Sequence, residues 1–396
     1  MVIEVRRRLA PGRSAIWNDS RYRSLFFQTL VLGAVIAFAV FIARNTLENL
    51  ERRGITSGFD FLSSTAGFGI IVHLIDYSEE SSYGRAFLVG LLNTLLVSGL
   101  GVVFATILGF LIGICRLSRN WLVAKLATAY IEVIRNIPLL LQIFFWYFAM
   151  LGLLPSPRQS IVIAGTFFLN NRGLYLPVPI FDSGFGVALL SFLIAFIAVI
   201  LMVRWARRGQ GASGRHFHTV LALMVILIAL PLIAAVVTGF TFSWDRPELK
   251  GFNFVGGLVL IPEFVALLVA LSVYTAAFIA EIVRAGIQSV SKGQIEAAYS
   301  LGLKPAQTLR LVIVPQALRV IVPPLTSQYL NLTKNSSLAV AIAYPELVSV
   351  FAGTVLNQTG QAIEVIAMTM AVYLTISLMI SLFMNWYNRK IALAER

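Results

Sequence analysis

The sequence predicts an all-α membrane protein with about eight transmembrane helices. Three observations carry that expectation. Of the 396 residues, 58% are hydrophobic and 12% charged, with a mean hydropathy of +0.84. A soluble domain has about a quarter of its residues charged. Apolar runs of roughly 20 residues, long enough to cross a bilayer as helix, recur along the chain. The charges collect at the ends of these runs and form no continuous patch, so the net charge of +13 does not mark a nucleic-acid footprint.

Taken in order, the spans fall near Leu25–Ala43, Ala86–Cys115, Leu126–Leu153, Phe185–Val203, Thr219–Gly239, Glu263–Val283, Val320–Tyr344 and Glu364–Asn385. The first follows a basic stretch (Arg6, Arg7, Arg8, Arg13, Arg21, Arg23) and exceeds the roughly 7–15 apolar residues of a secretory signal, so it reads as an uncleaved anchor. In the second, Ala105, Gly109 and Gly113 stand at i, i+4 and i+8, a face on which a neighbouring backbone can approach closely. In the seventh, Pro323 and Pro324 are expected to break or kink the helix.

Lys and Arg give the orientation. With the N-terminus inside, the cytoplasmic segments hold 21 of these residues and the outer segments 8. Both termini are therefore expected in the cytoplasm. Residues 1–85 form an N-terminal tail, first anchor and outer loop. Residues 86–386 form the main transmembrane domain. Within it, residues 152–262 read as an insertion carrying "FLNNRGLYLPVP", two spans and "SWDRPELKGF". Residues 387–396 are a cytoplasmic tail.

Several chemistries are excluded. Cys115 is the single cysteine, and His73, His216 and His218 do not cluster with it, so no metal centre is expected; His216 and His218 beside Arg215 read as a solvated flank. No phosphate-binding G-x-x-x-x-G-K-[ST] motif is present, and the isolated Gly67-Phe68-Gly69 lacks a third glycine. Nothing suggests that the chain catalyses a reaction.

One cytoplasmic loop, "SVSKGQIEAAYSLGLKPAQTLRLVIVPQA" from Ser289 to Ala317, is unusually rich in helix signals. Ser291 and Gln294 are spaced as an S-x-x-Q capping box. Ala297 and Ala298 give a short, smooth helix face. Gly302 can adopt the left-handed conformation that ends a helix. Pro305 suits the first turn of the next helix, and Pro315 is expected to disrupt that helix. A rigid helix–turn–helix exposed to the cytoplasm suits docking better than passive connection.

At these residues a resemblance becomes specific. Glu296-Ala297-Ala298, then Gly302, then Ile313-Val314-Pro315 resembles the EAA loop in membrane subunits of binding-protein-dependent ABC importers. That family's pattern ends in Ile-x-Leu-Pro, so Val314 is a mild departure. "AEIVRAGIQSVSKGQ", "LTKNSSLAVAIAYPEL" and "YIEVIRNIPLLLQIFFWYF" are similar to its polar amino-acid branch, and the long insertion narrows the similarity to general L-amino acid permeases. The resemblance runs from about Phe87 to the C-terminus. It implies a type I ABC importer transmembrane domain in a bacterial inner membrane, with residues 291–315 as a coupling helix docking on a separate ATPase. Glu296, Ala297, Ala298, Gly302, Pro305 and Pro315 would be the coupling positions. It further implies ATP and Mg on that partner, a second permease subunit (homologous or identical), and a periplasmic amino-acid-binding protein.

Ionisable groups within a span usually face a cavity or a partner. Glu132, Arg135 and Asn136 in the third span, and Lys334, Asn335 and Ser336 in the seventh, are therefore candidates for the substrate pathway; Glu132 and Arg135 also have the spacing of an internal ion pair. Glu281 and Arg284 are expected to pair at the cytoplasmic edge of the sixth. The alternative function is a secondary transporter driven by an ion gradient. It calls for ion sites in broken helices within inverted repeats, and no repeat is visible.

Overall fold

The computed structural model describes residues 20–52, 58–180, 183–209, 216–238 and 243–391. The basic stretch Arg6–Arg13, the Arg215 flank and the last residues of the C-terminal tail lie outside them. The chain divides into two compact units, residues 1–91 with 347–374, and residues 92–346 with 375–396.

The main helices are α1 (Ser20–Arg52), α2 (Tyr83–Arg116), α3 (Trp121–Asn136), α4 (Leu139–Leu153), α5 (Ser183–Gly209), α6 (His216–Val237), α7 (Pro262–Gln288), α8 (Lys292–Ser300), α9 (Pro305–Thr308), α10 (Val314–Asn335), α11 (Leu356–Thr359) and α12 (Ala362–Ile391). Among the described residues, five helical stretches are long and apolar enough to cross a membrane: Tyr22–Thr46, Tyr83–Arg116, Pro262–Gln288, Pro305–Ile342 and Ala362–Ile391. A sixth span exists if α3 and α4 are taken together, but this pair is bent by 105°. The third span expected near Leu126–Leu153 is thus divided at a bend. Pro138 cannot donate a backbone hydrogen bond, and Ile137 before it is extended (φ −97°, ψ 127°), as the residue preceding a proline prefers. The buried Gln142 closes the break, its carboxamide nitrogen Nε2 donating to the carbonyls of Ile134 and Ile137 at 2.9 Å each.

The first unit is held by a loop. In residues 58–82, Phe61, Ala66 and Ile70 bury against Tyr83, Ala86 and Val89 of α2 and against Leu347, Val350, Phe351, Val355 and Val365. Phe351 meets Phe87 edge-on with ring centroids 5.0 Å apart. Tyr83 donates to Gln358 at 3.0 Å, and the Gly58 N–H donates to Glu364 at 2.9 Å. The outer loop, grouped by sequence with the anchor, therefore shares its core with residues far along the chain. From Tyr22 to Ile42, α1 leaves its apolar side chains exposed.

In the second unit α7 is the central helix. Ala266, Leu267, Ala270, Leu271, Ala276, Ala277, Ile279 and Ala280 are fully buried. The Ala105–Gly109–Gly113 face is a tight seam on it. A Cβ at Gly109 would lie 2.6 Å from the Ile279 side chain, and one at Gly113 would lie 2.8 Å from the Ala280 carbonyl oxygen. Gly286 meets Ile321 of α10 in the same way. α10 runs through Pro323 and Pro324 without a break to Asn335, then continues as a 3-10 helix, Ser336–Ile342.

The insertion also corrects the purely helical expectation. Short strands β1 (Ile161–Ile163), β2 (Phe167–Asn170), β3 (Gly173–Leu176) and β4 (Val178–Ile180) precede α5. Strands β5 (Ser243–Asp245), β6 (Glu248–Lys250), β7 (Asn253–Val255) and β8 (Leu258–Leu260) follow α6. β8 pairs antiparallel with β3 and β5 with β4, so the two polar segments flanking the helical pair close on each other. Phe254 packs between Phe168 and Tyr175, at 4.7 and 4.8 Å.

Candidate functional site

The Ser289–Ala317 loop folds as a helical hairpin, α8 returning against α9 and the π-helical turn Leu309–Ile313. Its turn is set by Gly302, whose φ is +75°. The Gly302 N–H donates to Tyr299 at 2.9 Å and the Leu303 N–H to Ala298 at 3.2 Å. These are the paired bonds of a Schellman cap, which satisfy the last carbonyls of α8. Ala298 is buried within the hairpin, whereas Glu296 and Ala297 face outward. Leu301 beside the cap is 82% exposed, a large apolar side chain presented on a polar loop.

Two details differ from the sequence expectation. Ser291 is the N-cap of α8, but its side chain caps nothing, so the S-x-x-Q box does not form. Half of such a box appears instead at α9, where the Lys304 N–H donates to the Gln307 side chain at 2.9 Å. Pro315 does not end its helix. It stands just after the π-turn, which joins α9 to α10 as one continuous helix. The hairpin is thereby rooted at both ends in long apolar helices.

At the root of α7, Glu281 accepts from Arg284, as its spacing predicts, and also from Arg116, the last residue of α2. Arg284 in turn reaches Gln288, the last residue of α7. Sequence reasoning missed Arg116, which stands 165 positions from its partner and has no local spacing to betray it.

The candidate pathway residues fall apart into two places. Glu132 and Arg135 make no ion pair with each other. Arg135 lies over the Phe278 ring at 5.1 Å, and Asn136 donates to the Glu132 carbonyl at 2.7 Å. Glu132, Arg135, Asn136 and Lys334 are exposed on this chain, while Ser336 is buried and donates to the Thr333 carbonyl at 2.7 Å. Among the described residues no hydrogen bond or ion pair joins the two groups.

A buried polar cluster near the start of α2 went unread in the sequence. Asn93, Thr94, Tyr344 and Glu346 are all fully buried. Asn93 Nδ2 donates to the Pro345 carbonyl at 2.8 Å, and the Tyr344 hydroxyl to the Asn93 carbonyl at 3.4 Å. A left-handed turn at Ala343 (φ 57°) ends the 3-10 helix just before this segment. The available signal was the Pro345-Glu346 pair directly after an apolar run, because a carboxylate at such a position is costly unless it serves a site.

A family model described as a binding-protein-dependent transport system inner membrane component matches residues 105–393. The chain is 58% identical over 391 residues to the putative amino-acid ABC transporter permease protein YhdX of Escherichia coli, covering 99% of both chains. It is 55% identical over 384 residues to the general L-amino acid transport system permease protein AapQ of Rhizobium johnstonii, covering 97% of this chain and 96% of that one. It is 46% identical over 414 residues to the glutamate/glutamine/aspartate/asparagine transport system permease protein BztB of Rhodobacter capsulatus, covering 97% of each. With an apolar helical body and a capped helical hairpin at the place the family motif predicts, the chain belongs to the binding-protein-dependent transport system inner membrane components.

Proposed function

We propose that this chain is a permease subunit of an ATP-driven inner-membrane importer for polar or general L-amino acids. The observation that carries the reading is the Schellman-capped hairpin at Gly302, a rigid docking shape on an otherwise membrane-embedded chain. The names of its near full-length relatives support the substrate class.

The chain crosses the membrane eight times, counting the bent α3–α4 pair and adding α5 and α6 to the five long spans, with both termini cytoplasmic. A separate ATPase binds ATP and Mg and receives the hairpin through Glu296, Ala297, Ala298 and Gly302, with Pro305 and Pro315 fixing its second arm. A second permease subunit completes the translocation path, and a periplasmic binding protein delivers the amino acid. Closure of the ATPases draws the hairpins together, and the motion passes into α7 and α10, the helices that flank it. Glu132, Arg135, Asn136, Lys334, Asn335 and Ser336 remain candidate pathway groups.

The test is uptake of labelled glutamate, histidine and leucine by proteoliposomes holding the assembled complex, with ATP or with an imposed proton or sodium gradient. Uptake that requires ATP and is lost in Gly302→Trp supports the reading. Uptake driven by the gradient and indifferent to ATP replaces it with a secondary transporter. An unchanged uptake KM in Lys334→Ala removes that residue from the pathway.

A further inference from the structure

We propose that Glu281 is a positioning residue which ties the cytoplasmic end of α2 to the root of the coupling hairpin, so that α2 and α7 move as one lever. This inference rests on the coupling role proposed above for the hairpin.

Three features converge on it. Along the membrane-embedded length, Gly109 and Gly113 let α2 press on Ile279, Ala280 and Val283 of α7 with no room for a side chain. Interdigitation that tight transmits displacement, because close-packed helices are poorly compressible. Where the glycine seam stops, a charged clasp begins. Arg116 closes α2, and its guanidinium donates to the Glu281 carboxylate. Arg284 holds the same carboxylate and extends to Gln288, where α7 ends. Only Ser289, Val290 and the N-cap Ser291 separate Gln288 from α8. A third guanidinium, Arg135 of α3, acts on Glu281 at longer range.

The clasp is also well placed to matter. The Arg116 and Glu281 side chains are 19% and 28% exposed, so the pair is partly shielded from water and its attraction is less screened than that of a surface pair. A carboxylate shared by two guanidiniums has its acceptor sites filled and its geometry fixed from both sides. Without the clasp, a push on α8 would bend the last turn of α7 away from α2. With it, the push reaches both helices.

The test uses the complete transporter, reconstituted with its ATPase, partner permease and binding protein. Uptake and ATP hydrolysis are measured together, per assembled complex, for Arg116→Glu, Glu281→Arg and the double variant that exchanges the charges. Each single reversal is expected to lower the number of amino acids moved per ATP by about fivefold or more, the scale of a typical coupling energy, while ATP hydrolysis continues. The exchanged pair, which restores the bond between positions 116 and 281 but not that to Arg284, is expected to move clearly more amino acids per ATP than Glu281→Arg alone. If a reversal fails to assemble, Glu281→Gln, which removes the charge and keeps the shape, serves in its place with the same expected loss. An unchanged ratio in the single variants overturns the proposal. So does a double variant no better than Glu281→Arg alone, in which Arg284 has equally lost its carboxylate, because positions 116 and 281 would then act separately. Failure of the unmodified complex to use ATP sinks the functional reading instead, and is seen before any variant is made.

Discussion

Replacing Gly302 by valine isolates the turn from its surroundings. A Cβ built at Gly302 meets nothing within 4 Å, so a side chain there fits without collision. What it disturbs is the backbone, held at φ +75°. Keeping a non-glycine residue in that region costs roughly 1–2 kcal/mol. Unwinding the cap instead forfeits the Gly302–Tyr299 and Leu303–Ala298 bonds, roughly 1–3 kcal/mol for the pair. The chain takes the cheaper course, so the capped hairpin loses about 1–2 kcal/mol against its unwound form, a factor of about 5–30 in population. Asparagine visits the left-handed region far more readily, so Gly302→Asn retains most of the cap. The assay is ATP-dependent uptake per assembled complex, with thermal unfolding in detergent as the control. Valine is expected to lower uptake measurably, by up to that factor, and leave the unfolding midpoint nearly unchanged, because the loop is exposed. Asparagine is expected to stay near the unmodified protein. The reasoning is refuted if valine transports normally. It is also refuted if asparagine is as poor as valine, since the site would then demand a bare backbone for contact rather than a left-handed turn.

Phe351→Ala removes a fully buried ring that touches Phe61 and Phe87, and is expected to destabilise the protein by about 3–5 kcal/mol, read as a lowered unfolding midpoint. Gln142→Leu keeps the side-chain bulk but strips two carbonyls of their donor at the α3–α4 bend, at a cost of about 1–3 kcal/mol for each carbonyl left without a partner. A midpoint equal to that of the unmodified protein would show that the bend is held by other contacts. Gly109→Leu forces a side chain into Ile279 and is expected to cost about 1–3 kcal/mol by overpacking, with Gly99→Leu, open within 4 Å, as the harmless control.

The sequence made the long apolar elements readable because burial in lipid demands continuous runs, and α2, α7 and α12 lie where those runs lie. Gly302 was readable for a related reason, since a glycine bounded by helix formers and followed by Pro305 has few other uses. The strands were not, because none exceeds four residues and two of their pairings, β3 with β8 and β4 with β5, join segments separated by two helices. The α3–α4 break had its signal in Pro138, yet the same residue type at 323 and 324 leaves α10 whole. Proline in a membrane helix reports a missing donor, and neighbouring groups decide whether the helix breaks. Arg116 with Glu281, and Asn93 with Pro345, belong to the fold alone. Nothing local in either member of the pair names the other.

The loop that joins the anchor to α2 has a consequence for how the protein is made. Gly58 bonds to Glu364, 306 positions later, and Phe61 waits on Phe351. A ribosome adding about 5–20 residues per second takes roughly 15–60 s to supply the missing half of that core. During that interval Phe61, Ala66 and Ile70 lack the late partners Leu347, Val350, Phe351, Val355 and Val365. The first unit is therefore a seal set near the end of synthesis. Its closure reports that nearly the whole chain has been inserted, and a truncated product would carry this apolar loop uncovered.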